Sequence, residues 1–495
     1  MKSNSYKEII KSTGVIGSSQ IITLFIGVIR TKFLAVLLGT TGVGIIGLLQ
    51  STLEFAKSIT GFGIGFSAIR DISSASQQQD EFRIVQVISI FRKLVWLTGI
   101  IGLIVVLIFS RQISIYTFGS DEYTNAFVSL AIVMLFSALS DGQLAILQGL
   151  RKIYLLAKVN VYSAILSTIS SIALFYFLGI NGIVPSIFIT SLFTLFIAWF
   201  FSNKIKIKKI KLNWTFTIKE GRGMIKLGLF TVITGLLSTG TLFILRIFLK
   251  QKGGLELVGL FQAAWTLSSI YISAVLSAMA KDYFPRLSGY SNEDSTINKL
   301  VNEQTEITLL VSCPLIIAML IFSDLLINLF YNENFKNAWV ILYWLLAGNL
   351  LKILSWPLGF VILAKSKGKL YIFTETTWNI LFLIVIYFAW STFNIASIGI
   401  AFIVGYFVYW LILYFVLTNE TLFKYSTVNK SYILFFLICI LLTMIISKEL
   451  ESLPKYLIGT IVIIITSTYS FVKIKKIVNL QELISELISR IKRKI

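Results

Sequence analysis

Four cations lie inside long apolar stretches of this 495-residue sequence, and their chemistry needs an explanation. Arg30 belongs to the run RTKFLAVLLG, and Lys57, Arg246 and Lys352 stand in three other apolar runs. A charge inside a membrane span costs roughly 2.5 to 3.5 kcal/mol on insertion scales, so it normally faces a water-filled cavity or a charged ligand. Arg offers paired hydrogen bonds and Lys a point charge, which suits phosphate. We therefore predict a cationic cavity that binds an anionic substrate.

Each of these cations also has a simpler interpretation. Arg30 and Arg246 are both far enough along their apolar runs for their side chains to extend to the outer surface. Residues two apart point about 200° apart on a helix, so we expect Arg30 to face the lumen and Lys32 the outer rim. Lys57 lies three residues after Glu54, and the two could neutralise each other on one helix face.

Three carboxylates in apolar runs are candidates for ion coupling: Glu54, Asp141 and Glu375. A buried carboxylate binds Na⁺ or a proton when desolvation disfavours its charged form. The alternative is that each one pairs with a nearby Lys or Arg. These carboxylates make a Na⁺ or H⁺ gradient the candidate energy source. No cofactor is predicted.

The overall composition indicates an integral membrane protein. Hydrophobic residues make up 56% and charged residues 14% of the chain, and the apolar runs are long enough for helices to cross a bilayer. The chain has no histidine and only two cysteines, which argues against disulfide scaffolds, zinc sites and imidazole catalysis. The formal net charge of +21 does not indicate nucleic-acid binding, because the Lys and Arg residues cluster in alternate loops.

The pattern of apolar runs predicts an all-α integral membrane fold with about 14 transmembrane helices. Most of the 44 Lys and Arg residues fall in loops on one side, so we expect both termini to be cytoplasmic. The loops on the other side are short. A catalytic domain outside the membrane is therefore not expected.

An internal repeat appears when residue 226 onward is laid over residue 11 onward. Arg30 matches Arg246, and Gly47 to Gln50 (GLLQ) matches Gly259 to Gln262 (GLFQ). Six spans separate the copies, so they have the same orientation, related by a pseudo-twofold axis along the membrane normal.

The repeat predicts two six-helix lobes followed by two extra helices. The predicted divisions are an N-terminal lobe (1–203), a basic cytoplasmic linker (204–223), a C-terminal lobe (224–420), two additional transmembrane helices (421–475) and an amphipathic cytoplasmic tail (476–495).

The stretch from Arg30 to Gln50, with LQGLRKIYLLAK (147–158) and LAKSKGKLY (363–371), resembles O-antigen and related oligosaccharide flippases. These form the polysaccharide transporter family of the multidrug/oligosaccharidyl-lipid/polysaccharide exporter superfamily. The resemblance implies alternating access around a central cationic cavity in the bacterial inner membrane. The implied cargo is an undecaprenyl-diphosphate-linked oligosaccharide for O-antigen lipopolysaccharide or a related polysaccharide. The implied partners are membrane lipids, with a polysaccharide polymerase and a chain-length regulator as possible protein partners.

Three other functions remain open. A lipid II flippase has the same fold, but its family carries Asp after the arginine at the Arg30 place, where this chain has Thr31. A multidrug antiporter of this fold predicts an acidic cavity. A membrane polysaccharide polymerase predicts a large catalytic outer loop, which this chain lacks.

Overall fold

The computed structural model describes residues 2–477 except 79, 206, 208, 209, 211, 291, 292 and 366. The predicted amphipathic tail lies almost entirely outside these residues. The regular structure of the described residues is helical and contains no strand, which confirms the all-α prediction. The α-helices are α1 (Lys2–Thr60), α2 (Ile64–Gln77), α3 (Glu81–Ile108), α4 (Ser110–Phe118), α5 (Thr124–Gly149), α6 (Ile153–Leu178), α7 (Ile183–Asn203), α8 (Trp214–Gly289), α9 (Asp294–Ile321), α10 (Ser323–Phe330), α11 (Ala338–Ala364), α12 (Gly368–Phe393), α13 (Ser397–Thr421), α14 (Thr427–Glu449) and α15 (Ser452–Ile477).

Ten stretches of the described residues are long and apolar enough to cross a membrane. Four of them have 42, 51, 46 and 54 residues, twice what one crossing needs. Each of the four contains a break: at Gly39, at the 3₁₀ turn Gly179–Gly182, at Gly253 and Gly254, and at the 3₁₀ turn Asn394–Ala396. If each long stretch crosses twice, the total equals the 14 crossings predicted. That count and the cytoplasmic location of both termini stay predictions.

Two of these breaks need glycine. Gly39 has φ 64° and ψ −167°, and Gly254 has φ 69° and ψ −170°. A side chain at such dihedrals is strained, whereas glycine adopts them readily. The helices therefore break at two points that lie 215 residues apart (39 and 254) and share one backbone conformation. This matches the internal repeat.

The chain divides into two compact units. The first comprises residues 1–262 and 330–334, and the second comprises residues 263–329 and 335–495. In the first unit α5 packs against α3 and α7, and α6 packs against α1 and α7. In the second unit α13 packs against α11 and α12, and α9 packs against α11, α14 and α15. The division into lobes, linker and extra helices drawn from the sequence stays a prediction.

Two helices that position polar residues begin at side-chain caps. Asp80 accepts a hydrogen bond from the Arg83 main-chain N–H at 2.9 Å and so begins α3. Ser426 accepts one from the Asn429 N–H at 3.1 Å and so begins α14. These caps satisfy donors that a helix start otherwise leaves unpaired.

Candidate functional site

A cavity of about 410 Å³ lies in the first unit between α1, α2, α3, α5 and α8. Its charged lining residues are Glu54 and Lys57 on α1 and Asp141 on α5. Its hydroxyl groups come from Ser58, Thr60, Thr98 and Thr239. Three of the residues singled out in the sequence therefore share one cavity, although Asp141 is far from the other two along the chain.

Lys57 forms an ion pair with Asp141. The Lys57 side chain is 42% exposed and that of Asp141 is 51% exposed. An ion pair this open to solvent contributes little to stability, about 0 to 1 kcal/mol. Lys57 can therefore exchange its partner for another anion at small cost.

Glu54 lies on the same cavity wall and is exposed there. It forms no ion pair with Lys57 within the described part of the chain, so the self-neutralising pair expected from the sequence spacing is replaced by the Lys57 to Asp141 pair. Glu54 instead acts electrostatically on Arg246. With Lys57 and Asp141 charged, Glu54 leaves the cavity with one net negative charge.

Arg246 is held by residues of α8 on both sides of the break at Gly253 and Gly254. It is only 7% exposed, and its Nε and Nη2 donate to Gln262 Oε1 at 3.3 and 2.8 Å. Its Nη1 donates to the Leu242 carbonyl oxygen at 3.3 Å, and its guanidinium lies 5.6 Å from the centre of the Phe261 ring. This residue is positioned as a structural cation rather than a free one.

Arg30 has a different environment. It is half-buried, its Nε is inaccessible to solvent, and the side chain makes no hydrogen bond or ion pair with any described residue. A guanidinium in an apolar run without a counter-charge is costly. A bound anion would compensate it.

The different environments follow from the register of the repeat. The kink glycines Gly39 and Gly254 set an offset of 215 residues, which places Leu245 at the position of Arg30 and Thr31 at the position of Arg246. One residue is about 100° around a helix. The pairing of the two arginines in the sequence comparison is therefore displaced by one residue, and they point in different directions from equivalent helices. The pairing of Gly47 with Gly259 is displaced by three, because Gly259 corresponds to Gly44 in this register.

The second unit holds Lys352 and Glu375. Lys352 lies on α11, and its side chain makes no hydrogen bond or ion pair with the residues that the structure describes. Glu375 on α12 accepts a hydrogen bond from the Tyr409 hydroxyl at 2.6 Å. Glu375 therefore has a partner within its own unit, whereas Lys352 is a second uncompensated cation.

Two features escaped the sequence comparison. Arg92 on α3 has a buried Nε with no hydrogen-bond partner, and the adjacent Lys93 donates to the Leu212 carbonyl oxygen. The signal was the pair of cations inside a predicted span. Lys32 donates to the Tyr331 carbonyl oxygen, a contact no sequence pattern reveals because the acceptor is main chain.

Comparison with known proteins gives the family and the fold. The profile of the polysaccharide biosynthesis protein family matches residues 33–340, more than half of the chain. A putative O-antigen transporter of Shigella flexneri is 24% identical over 376 residues, which cover 74% of this chain and 88% of the relative. The lipid III flippase of Escherichia coli (strain K12) is 20% identical over 371 residues, which cover 73% of this chain and 86% of the relative.

Among solved structures, the lipid II flippase MurJ in an inward closed conformation superposes with a TM-score of 0.66 at 16% identity, covering 94% of this chain and 99% of that chain. The likeness at this identity concerns the fold alone. The relatives and the fold confirm the resemblance to oligosaccharide flippases and a multi-pass protein of the bacterial inner membrane. The chain belongs to the polysaccharide biosynthesis protein family.

Proposed function

We propose that this protein is a flippase that moves an undecaprenyl-diphosphate-linked oligosaccharide from the cytoplasmic to the outer leaflet of the inner membrane. It is a transporter, so no bond in the cargo is broken. The observation that carries the proposal is Arg30, a half-buried guanidinium with no partner among the described residues. A diphosphate cannot cross hydrocarbon unaided, and a guanidinium offers it paired, charge-assisted hydrogen bonds.

Lys57 supplies a second cation in the same unit. The diphosphate displaces Asp141 from Lys57, which is an even exchange of one exposed ion pair for another. Arg246 is the third proposed cation of the first unit and is fixed by its own hydrogen bonds, while Lys352 is the cation proposed for the second unit. The glycan remains in water and the polyprenyl chain in lipid while the protein alternates between inward- and outward-facing states.

An ion gradient can act on this site through Asp141. A proton or Na⁺ bound at Asp141 weakens its hold on Lys57 and so strengthens binding of the diphosphate; by linkage, the diphosphate strengthens binding of the cation equally. Glu54 lies on the same wall and is the second candidate ligand of that cation. Glu375 is the third candidate ligand of the coupling cation. Its carboxylate already accepts a hydrogen bond from Tyr409, which either stays in place or is replaced by the cation when the cation binds.

Lipid II is the second candidate cargo, since MurJ shares the fold. Thr31 removes the acidic neighbour expected for that cargo. The cavity lined by Glu54, Lys57 and Asp141 has one net negative charge, which favours a cationic drug as the third candidate cargo, whereas the uncompensated Arg30 favours an anion. After export, we propose that the repeat unit passes to a polymerase and a chain-length regulator, which co-purification from membranes would test.

The test is leaflet transfer in liposomes containing the purified protein and one cargo at a time. We expect transfer of the undecaprenyl-diphosphate oligosaccharide, loss of transfer in Arg30→Ala, and no loss in Arg111→Ala, whose side chain is 71% exposed and only 3.8 Å from Asp121. Transfer of neither cargo, or of lipid II alone, would overturn the proposal.

A further inference from the structure

Two lysines near the kink glycines each bind a main-chain carbonyl from the other copy of the repeat. Lys32 on α1 donates to the carbonyl oxygen of Tyr331, which directly follows α10. Lys250 on α8 donates to the carbonyl oxygen of Phe118, the last residue of α4. All four residues lie within the first compact unit.

The two contacts are alike in kind. The carbonyl groups at the end of a short helix are not used by that helix, and they carry partial negative charge that favours a cation. Each lysine satisfies such a group. The two lysines are not at equivalent positions in the repeat, since the 215-residue offset places Lys250 at Ala35; there the Ala35 carbonyl accepts from Asn332 Nδ2 at 2.9 Å.

The helix segments that follow the two kinks are in main-chain contact. A Cβ built on Gly44 would lie 2.0 Å from the Leu255 carbonyl oxygen, and one built on Gly259 would lie 2.0 Å from the Thr40 carbonyl oxygen. Gly44 and Thr40 correspond to Gly259 and Leu255 at the offset of 215. This contact therefore obeys the internal twofold symmetry, and it allows no side chain at either glycine.

We propose that Lys32 and Lys250 form a paired latch between the two copies of the repeat, and that both bonds break when the protein opens to the outside. One bond ties α1 near its break at Gly39 to Tyr331, and the other ties α8 near its break at Gly254 to Phe118. This inference rests on the proposed flippase function, because only alternating access requires the two copies to separate on the outer side. The symmetric glycine contact has no charge to hold it, whereas the lysines supply directional, charge-assisted bonds on either side of it. Loss of one bond shifts the population toward the open state.

The test measures access from outside the cell to a cysteine placed at Val258, which is 0% exposed and precedes Gly259. The background carries Cys313→Ser and Cys439→Ser, which removes both native cysteines. Lys32→Met and Lys250→Met keep an apolar chain and remove the ammonium group. We expect a membrane-impermeant maleimide to label Val258→Cys about tenfold faster in either variant, the effect of losing one hydrogen bond to a charged group.

Lys336→Ala is the matched control, because Lys336 is an exposed lysine five residues after Tyr331 and its side chain makes no hydrogen bond or ion pair with the described residues. In Lys336→Ala, Val258→Cys should be labelled at the parental rate. In Lys32→Arg, which keeps the positive charge, the labelling rate should also stay near the parental one. Unchanged labelling in both methionine variants, with membrane insertion intact, would overturn the latch. Labelling needs no cargo, so faster labelling in a protein that exports no glycan would support the latch and count against the proposed cargo alone.

Discussion

Lys57 is paired with Asp141 on another helix and not with Glu54, which is three residues away on its own helix. The pair lies in the cavity, and both side chains are about half exposed. It therefore positions Lys57 but is weak enough for another anion to replace Asp141. In the proposed mechanism, Asp141 therefore competes with the substrate for the same cation. The two carboxylates of the cavity therefore differ: Asp141 pairs with Lys57, and Glu54 does not.

Asp141→Asn should therefore strengthen binding of a polyprenyl diphosphate by several-fold, because the diphosphate no longer competes with a carboxylate for Lys57. Titration of the purified protein in lipid nanodiscs measures this. Glu54→Gln is the control, as it removes the same charge from the same cavity without releasing Lys57. Equal effects of the two substitutions would mean that only the total cavity charge matters.

Arg246 and Arg30 should differ in their effect on stability. Arg246→Ala removes two hydrogen bonds to Gln262 and one to Leu242, and we expect a loss of about 2 to 3 kcal/mol. Arg30→Ala removes a cation that has no partner and should be neutral or slightly stabilising. Thermal unfolding in detergent compares the two. A large loss of stability in Arg30→Ala would reveal an undetected structural role and weaken its assignment to substrate.

Asn302 should stabilise the connection between α13 and α14, because its side chain bonds to Lys424, Ser426 and Asn429. Its Oδ1 accepts from the Ser426 N–H at 2.8 Å and from Asn429 Nδ2 at 2.9 Å, and its Nδ2 donates to the Lys424 carbonyl oxygen at 3.1 Å. Asn302→Ala should cost about 2 kcal/mol locally and speed hydrogen exchange across 422–429 about tenfold or more. Lys424→Ala keeps the main-chain acceptor and should leave exchange unchanged. Slow exchange in Asn302→Ala would show that the link is held by apolar packing instead.

Asp324 should make stability depend on acid pH. Burial alone raises the pKa of Asp324, but hydrogen bonds from Lys455 at 3.0 Å and Tyr456 at 2.9 Å outweigh it and hold that pKa below its ordinary value. A lowered folded-state pKa gives a stabilisation that is present above the unfolded pKa and lost as the pH falls through the folded one. The melting temperature should thus fall below about pH 5, and Asp324→Asn should flatten that fall. An identical acid profile in the variant would assign the dependence to other carboxylates.

The sequence predicted the class of fold and identified the charged residues within apolar runs, because apolar run length and the charges inside such a run are local properties of the chain. Which charged residues pair with one another depends instead on how distant parts of the chain pack. Spacing suggested Glu54 for Lys57, but the pair is made with Asp141 on α5. Sequence matching joined Arg30 to Arg246, whereas the dihedrals of Gly39 and Gly254 set a register one residue away.

The latch lysines were beyond sequence reasoning for another reason. Lys32 and Lys250 bind carbonyl groups, and every residue has one, so the acceptor leaves no trace in residue type. The expectation that Lys32 marks the outer rim remains compatible with its contact to Tyr331. What the expectation lacked was a reason for a lysine to stay there.

The central claim is that Arg30 and Lys57 bind the diphosphate of the cargo. The most direct test is the affinity of the nanodisc-embedded protein for an undecaprenyl-diphosphate oligosaccharide, compared between the parent and Arg30→Ala/Lys57→Ala. Loss of the bonds from Arg30, together with repulsion of the diphosphate by an Asp141 left without Lys57, predicts binding at least about tenfold weaker. An affinity equal to that of the parent, in a variant that unfolds at the same temperature, would contradict the account.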